Sequence, residues 1–94
     1  MPRVRTHPGE VLREEYLVPL GMSARALAKA LGVPPNRITE IMRGDRDISA
    51  DTAIRLGRYV GTDPRFWLNL QAAHDLSVAE VGHDYSRIAP RSAA

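Results

Sequence analysis

Apolar residues recur along most of the chain at spacings of three and four, which is the period of an amphipathic helix. The pattern restarts several times, and each restart follows a residue that favours a helix N-terminus, or a proline or glycine that breaks the chain. The chain has 94 residues, enough for one small domain. The pattern therefore predicts an all-α fold of five helices.

The first helix is predicted to run from Pro8 to about Val18, with Leu12 and Leu17 in its apolar stripe. Proline is favoured in a first helical turn, where its missing N–H would be unpaired anyway. Pro19 is expected to end the helix, because the residue before a proline is pushed out of helical geometry.

Residues 23–44 predict two short helices joined by a tight turn. Ser23 is expected to cap the first helix, and Gly32 supplies the turn. Pro34 and Pro35 begin the second helix, and Gly44 ends it. The second helix leaves a polar face exposed, as entry into a DNA major groove requires. The side chains expected to point inward are Leu27, Leu31, Val33, Ile38 and Ile41, with the small Ala28 where the two helices cross.

Ser49 is expected to cap a fourth helix from about Ala50 to Val60. A fifth helix is predicted from Pro64 to about Asp75, capped by Thr62 or Asp63. Its apolar residues spread over more than one narrow stripe, which suggests a second contact partner beyond the domain core. The residues assigned to a dimer interface are Phe66, Trp67, Leu70 and Ala73, and the alternative for Trp67 is the core of its own domain.

The predicted organisation has three parts. Residues 1–7 form a loose N-terminal arm, residues 8–76 form the folded domain, and residues 77–94 lose the helical pattern and form a mobile C-terminal tail. One more helical turn over Ser77–Val81 is the alternative for the start of this tail. The tail is rich in serine, alanine, proline and arginine. Tyr85 and Ile88 are its candidates for docking onto another surface.

Composition excludes several functions. With no cysteine, disulfides, thiolate chemistry and cysteine zinc sites are ruled out. His7, His74 and His83 stand in no metal-ligand spacing, and no glycine-rich phosphate loop is present. We therefore expect no enzyme, no metal, no cofactor and no small-molecule substrate. No apolar run approaches the ~20 residues that cross a membrane. The N-terminus lacks the apolar core of a signal peptide, so a cytoplasmic protein is expected.

Charge is uneven along the chain. The formal net charge is +2, and 12 of the 13 basic residues are arginine, the side chain that binds phosphate and guanine edges bidentately. A GC-rich genome would also favour arginine codons. Residues 23–46 carry a local charge of +3, whereas the first helix carries −2. Positive charge is thus concentrated on the two-helix unit, as phosphate binding requires.

Four motifs point to a known family: HPGEVL at 7–12, LAKALGVPPNRITEIMRG at 27–44, ISADTAIRL at 48–56 and GTDPRFWLNLQAAHDL at 61–76. The two-helix unit resembles the helix-turn-helix of phage repressors, also called the XRE type. The wider pattern resembles the HigA family of addiction-module antitoxins. One departure is His74, where relatives often carry tyrosine.

The resemblance implies a five-helix, lambda-repressor-like helix-turn-helix domain that forms a homodimer. Such a dimer would bind a palindromic operator and repress its own operon. It would also neutralise a RelE-like mRNA endonuclease, a toxin of the HigB kind. Two other functions stay open: a stand-alone repressor-like regulator without a toxin, and a protein-binding module that has lost DNA binding.

The resemblance also implies which residues meet DNA. An asparagine can pair with adenine and a glutamate can accept from cytosine, whereas a proline offers only apolar contact. The expected base-contacting residues are Pro35, Asn36, Arg37, Thr39 and Glu40, and the expected phosphate-contacting residues are Ser23, Arg25, Arg43 and Arg46.

Overall fold

A computed structural model describes residues 3–92. Met1 and Pro2 of the predicted arm and Ala93 and Ala94 of the predicted tail lie outside the described residues. Within residues 3–92 the chain forms helices and no strand, so the all-α prediction is confirmed. The five helices are α1, built from the consecutive segments Pro8–Leu12, Arg13–Leu17 and Val18–Leu20, then α2 (Ala24–Leu31), α3 (Pro35–Met42), α4 (Ala50–Val60) and α5 (Pro64–Gly82).

The end of α1 differs from the prediction. Pro19 does not end the helix, which continues to Leu20 and stops at Gly21, in a left-handed conformation with φ 61°. The middle segment of α1 is a π-helical turn, in which the Val18 N–H bonds to the Arg13 carbonyl, five residues back. Proline cannot donate to the carbonyl four residues back, and its ring clashes with that carbonyl in an α-helix. The wider π turn accommodates both restrictions.

The two-helix unit matches its prediction closely. The Ser23 hydroxyl accepts the Ala26 N–H at 3.1 Å, and Gly32 takes a left-handed φ of 73° between the helices. Glycine adopts this conformation without the steric cost of a Cβ. The inward residues of both helices are buried as expected: Leu27, Ala28, Leu31, Val33, Ile38 and Ile41.

Among the described residues, Trp67 is the largest wholly buried side chain of the core. Its indole N–H donates to the Thr62 hydroxyl at 2.8 Å, and its ring packs against Tyr16 with centroids 5.3 Å apart. A partner chain cannot reach a side chain with no exposed surface. The assignment of Trp67 to a dimer interface was therefore wrong, and the core alternative holds.

The α5 helix is longer than predicted. Asp63 caps it by accepting the Arg65 N–H at 2.8 Å, and it runs to Gly82 rather than to about Asp75. The added turns carry no core-facing stripe, so apolar periodicity could not reveal them. Ser77 is the buried residue of these added turns. Its hydroxyl donates to the His74 carbonyl and accepts the Arg5 N–H, both at 2.7 Å.

At Arg5 the N-terminal arm is hydrogen-bonded to α5, so it is not loose there. Besides the bond to Ser77, the Arg5 carbonyl lies 2.7 Å from Nδ1 of His74. Beyond α5, residues 83–92 are non-helical and exposed, Tyr85 and Ile88 among them. The mobility of this tail stays a prediction. Across residues 3–92, no helix is both long enough and apolar enough to cross a membrane.

Gln71 of α5 holds the loop between α3 and α4. Its side-chain oxygen accepts the Ile48 N–H at 2.8 Å, and its amide nitrogen donates to Asp47 at 3.2 Å and to Asp75 at 3.0 Å. Ile48 is buried in the core although its neighbours are polar. The loop is thereby fixed to α5.

Candidate nucleic-acid interface

The α3 helix is held with one face in the core and the opposite face outward. Pro34 is its N-cap and Pro35 its first residue, as the double proline predicts. Ile38 and Ile41 are wholly buried on the inner face. The short turn after α2 is closed by the Val33 N–H, which bonds to the Ala28 carbonyl at 3.0 Å. This geometry presents the polar side of α3 to solvent.

Pro35 and Asn36 are both exposed at the start of α3. The Asn36 amide makes no side-chain hydrogen bond to any other residue among those described. Both its donor and its acceptor are thus available to a base edge. Thr39 is half-buried, and its hydroxyl lies near the Pro35 and Asn36 carbonyls at 3.4 and 3.3 Å. Its hydroxyl proton is directed toward its own helix.

Arg37 is held by a residue of α4. Its guanidinium lies 2.9 Å from Oδ2 of Asp51, and the same oxygen lies 3.0 Å from Nε of Arg55. Arg55 also donates to the Leu31 carbonyl at 2.7 Å, at the C-terminal end of α2. A cation is favourable there because unpaired carbonyls give a helix C-terminus negative character. These contacts link three helices through two arginines and one carboxylate.

Two more of the expected DNA contacts form ion pairs within the domain. Arg46, from the loop after α3, lies 2.9 Å from Oε1 of Glu40, which places it beside the α3 surface. Arg43 lies 3.5 Å from Asp45, and both are well exposed. With Asp51 on Arg37, three of the predicted contact arginines face a carboxylate. The local charge of +3 already counts Glu40 and Asp45, so only Asp51, which lies outside residues 23–46, lowers the positive charge of this surface further.

Arg25 and Ser23 lie at the start of α2, and both are exposed. Arg25 forms no ion pair among the described residues, so its full charge faces solvent. Ser23 already accepts a helix N–H but can still donate its hydroxyl proton. Both positions suit a phosphate, since a helix N-terminus attracts anions.

Sequence analysis missed Arg13. This α1 residue lines a shallow groove together with Ala24, Thr39, Met42 and Arg43. Arg13 of α1 and Arg43, directly after α3, thus border the C-terminal half of α3. The net charge of the first helix is negative, which does not suggest a DNA contact, and no sequence spacing relates residue 13 to residue 43.

The other residues assigned to a dimer interface do reach the surface of α5. Phe66 is 39% exposed, whereas Leu70 and Ala73 are half-buried. The unpredicted part of α5 adds further exposed apolar side chains: Leu76, Val78 and Val81.

Two histidines that are distant in sequence meet in the fold. The rings of His7 and His74 form an edge-to-face pair with centroids 4.9 Å apart. Nδ1 of His7 accepts the Gly9 N–H at 2.9 Å, which caps α1. Burial and the neighbouring His74 lower the pKa of His7, although Asp47 and Asp75 oppose the shift. Among residues 3–92, no group of histidines and carboxylates is arranged to hold a metal ion.

The fold and this surface define a helix-turn-helix protein. The family model described as Helix-turn-helix (HTH_3) matches residues 12–67. The chain is 62% identical over 80 residues to virulence-associated protein I of Dichelobacter nodosus, covering 85% of this chain and 72% of the relative.

Two solved structures are similar over nearly the whole chain. Antitoxin HigA of Pseudomonas aeruginosa, solved with the higBA promoter, is 43% identical with a TM-score of 0.87, covering 96% of this chain and 98% of that one. Antitoxin GraA, solved with its operator, is 43% identical with a TM-score of 0.91, covering 99% and 97%. The chain belongs to the HTH_3 helix-turn-helix proteins and, among them, to the HigA family of antitoxins. These are regulators rather than enzymes, as expected.

Proposed function

We propose that this protein is a DNA-binding antitoxin that represses its own operon. The observation that carries the proposal is the outward polar face of α3, where Asn36 has no partner among the described residues. Arg25 supplies positive charge at the start of α2, whereas Arg13, in the groove beside α3, is paired with Glu14 at 3.2 Å. The similar antitoxins HigA and GraA were solved with promoter or operator DNA, which supports a DNA ligand of the same kind.

The proposed DNA contacts divide by chemistry. Asn36, Glu40 and Arg37 have side chains able to read base edges, and Pro35 and the methyl group of Thr39 can offer apolar contact beside them. Glu40 would read a base while Arg46 fixes its orientation at 2.9 Å. The groups that contact phosphates are Ser23, Arg25, Arg43 and Arg46, to which the structure leads us to add Arg13.

We further propose a homodimer on a palindromic operator. One α3 helix makes few base contacts, and a two-fold dimer doubles them at half-sites about one helical turn apart. Phe66, Leu70 and Ala73 supply apolar surface on α5, and Leu76 extends it. Exposed apolar side chains on one helix are what a second copy would cover.

The toxin partner is proposed from the family. Antitoxins of this family would neutralise a RelE-like mRNA endonuclease in the cytoplasm, where the operon's DNA and messenger RNA occur. The exposed apolar residues of the tail, Tyr85 and Ile88, are candidates for this contact.

One experiment tests the proposal in two parts. The purified chain is titrated against a fluorescent duplex from the intergenic region upstream of its gene, with a scrambled duplex of equal length as control. It is also co-expressed with the product of the adjacent reading frame and purified through a tag on that product. Preference for the upstream duplex and co-purification of the two chains support the proposal. Equal affinity for both duplexes would exclude operator recognition.

A further inference from the structure

The Arg37–Asp51 pair joins the DNA-facing helix to a helix that is not expected to touch bases. Arg37 is in the first turn of α3 and Asp51 is in the first turn of α4, and their charged atoms are 2.9 Å apart. The Arg37 side chain is 28% exposed, whereas that of Arg43 is 67% exposed. Arg37 is thus the more restrained of these two arginines on the candidate interface.

Asp51 is itself held in place from behind. The oxygen that accepts from Arg37 also accepts from Nε of Arg55 at 3.0 Å, and Arg55 is fixed to the Leu31 carbonyl at 2.7 Å. Asp51 therefore cannot follow Arg37 if the arginine swings toward a distant phosphate.

We propose that Asp51 is a specificity-determining residue that acts by positioning Arg37. An arginine has five N–H donors, and the bond to Asp51 leaves most of them available in one fixed orientation. In that orientation Arg37 adds to the binding affinity only when the operator sequence is aligned with α3. On other DNA, binding depends on phosphate contacts alone, and the fixed Arg37 is withheld from them.

The inference rests on the proposed function, because it assigns a role within that DNA contact. It predicts that freeing Arg37 strengthens binding to random DNA more than binding to the operator. Neutralising Asp51 would release one cation to the phosphates of any sequence. Each added phosphate contact steepens the dependence of log affinity on log salt by about 0.9.

The test compares wild type and Asp51→Asn by fluorescence anisotropy over a salt series, with the upstream intergenic duplex and a scrambled duplex of equal length. We expect the ratio of upstream to scrambled affinity to fall by roughly fivefold and the salt slope on scrambled DNA to steepen by about one. The same change is then made in an Arg37→Ala background. There Asp51→Asn should leave the ratio unaltered, since the residue through which Asp51 acts is gone.

Two further variants separate positioning from simple loss of negative charge or of structure. Asp45→Asn removes a carboxylate of similar exposure, 65% against 57% for Asp51, that faces Arg43, and it should raise both affinities together and leave their ratio unchanged. Arg55→Gln removes the group that holds Asp51 in place, so it should lower the ratio in the same direction as Asp51→Asn, by a smaller amount because Arg37 keeps its carboxylate partner. Thermal unfolding of each variant verifies the fold, and Asp51→Ser replaces Asp51→Asn if the latter does not fold.

The outcomes are distinct. The role of Asp51 is overturned if Asp51→Asn leaves the ratio of upstream to scrambled affinity unchanged. It is also overturned if Asp51→Asn lowers this ratio equally in the wild-type and Arg37→Ala backgrounds. In both cases the proposed function still stands. A wild-type protein that binds both duplexes equally overturns the proposed function, and the inference fails with it.

Discussion

Gly9 of α1 lies directly against the backbone of Ile41 at the end of α3. A Cβ on Gly9 would overlap the Ile41 carbonyl and lie 3.0 Å from Cα of Met42. The first turn of α1 therefore packs on the backbone of the proposed DNA-reading helix. Only glycine allows the two helices to come this close.

Gly9→Ala is expected to lower the free energy of unfolding by about 1–3 kcal/mol or more, because the methyl group must push α1 away from α3. Chemical denaturation measures the loss. Gly82→Ala is the matched control, since a Cβ there meets nothing within 4 Å. Equal stability of the two variants would show that α1 and α3 are not in close contact.

Trp67 and Phe66 are neighbours in sequence but are expected to respond differently. Trp67→Phe removes the 2.8 Å bond to Thr62 and leaves a cavity, so the free energy of unfolding should fall by about 1–3 kcal/mol. Phe66→Ala, at a side chain 39% exposed, should mainly weaken self-association, measured by analytical ultracentrifugation over a concentration series. Self-association that survives Phe66→Ala unchanged would argue against pairing through this part of α5.

Periodicity predicted the helices because each one buries a stripe in a shared core. Leu27 and Ile38 lie where the pattern placed them. The errors arose where other forces determine the backbone. The π turn before Pro19 satisfies hydrogen bonds that an apolar pattern does not encode, and α5 continues past Asp75 through a contact between Ser77 and the arm.

The candidate site was predictable only within one helix. Asn36 and Glu40 share a face of α3 because of their spacing, and sequence shows that directly. The partners Asp51 and Arg13 come from other helices, and they meet α3 only after the chain folds. Helix periodicity relates residues within one element and carries no information about ion pairs between elements.

His7 is expected to make stability depend on pH. Its pKa is lowered in the fold, first by burial and then by His74, so the unfolded chain binds a proton more readily. Stability should therefore be highest above the ordinary histidine pKa of 6.5 and decrease as pH falls below it toward the lowered pKa. Protonation of Nδ1 would also remove the acceptor for the Gly9 N–H.

Urea denaturation near neutral pH and at about pH 5 measures this effect. His7→Asn keeps a side-chain acceptor that suits an N-cap but does not titrate, so its stability should decrease less on acidification. His83→Asn, at an exposed position beyond α5, is the control. Identical losses in wild type and His7→Asn would show that His7 does not produce the dependence.

Arg25 and Arg43 should bind DNA without regard to sequence. Replacing either with alanine removes one cation facing phosphates, so binding to upstream and scrambled duplexes should weaken together, and the salt slope should become shallower by about one. Arg25 forms no ion pair among the described residues, whereas Arg43 is 3.5 Å from Asp45. Arg25→Ala is therefore expected to have the larger effect. Arg87→Ala, in the chain after α5, is the control.

Asn36→Ala should weaken upstream-duplex binding by ~1–3 kcal/mol and leave scrambled-duplex binding nearly unchanged, because a bidentate amide contact discriminates between bases whereas a phosphate contact does not. Asn36 is suited to this role because its exposed amide has no partner in residues 3–92. Asn69→Ala, at an exposed asparagine on α5, controls for loss of an amide elsewhere. Competition binding with single-base variants of the upstream duplex then locates the contact, since Asn36→Ala should lose preference at one position in each half-site. If preference stays intact at every position, α3 does not read the bases through Asn36.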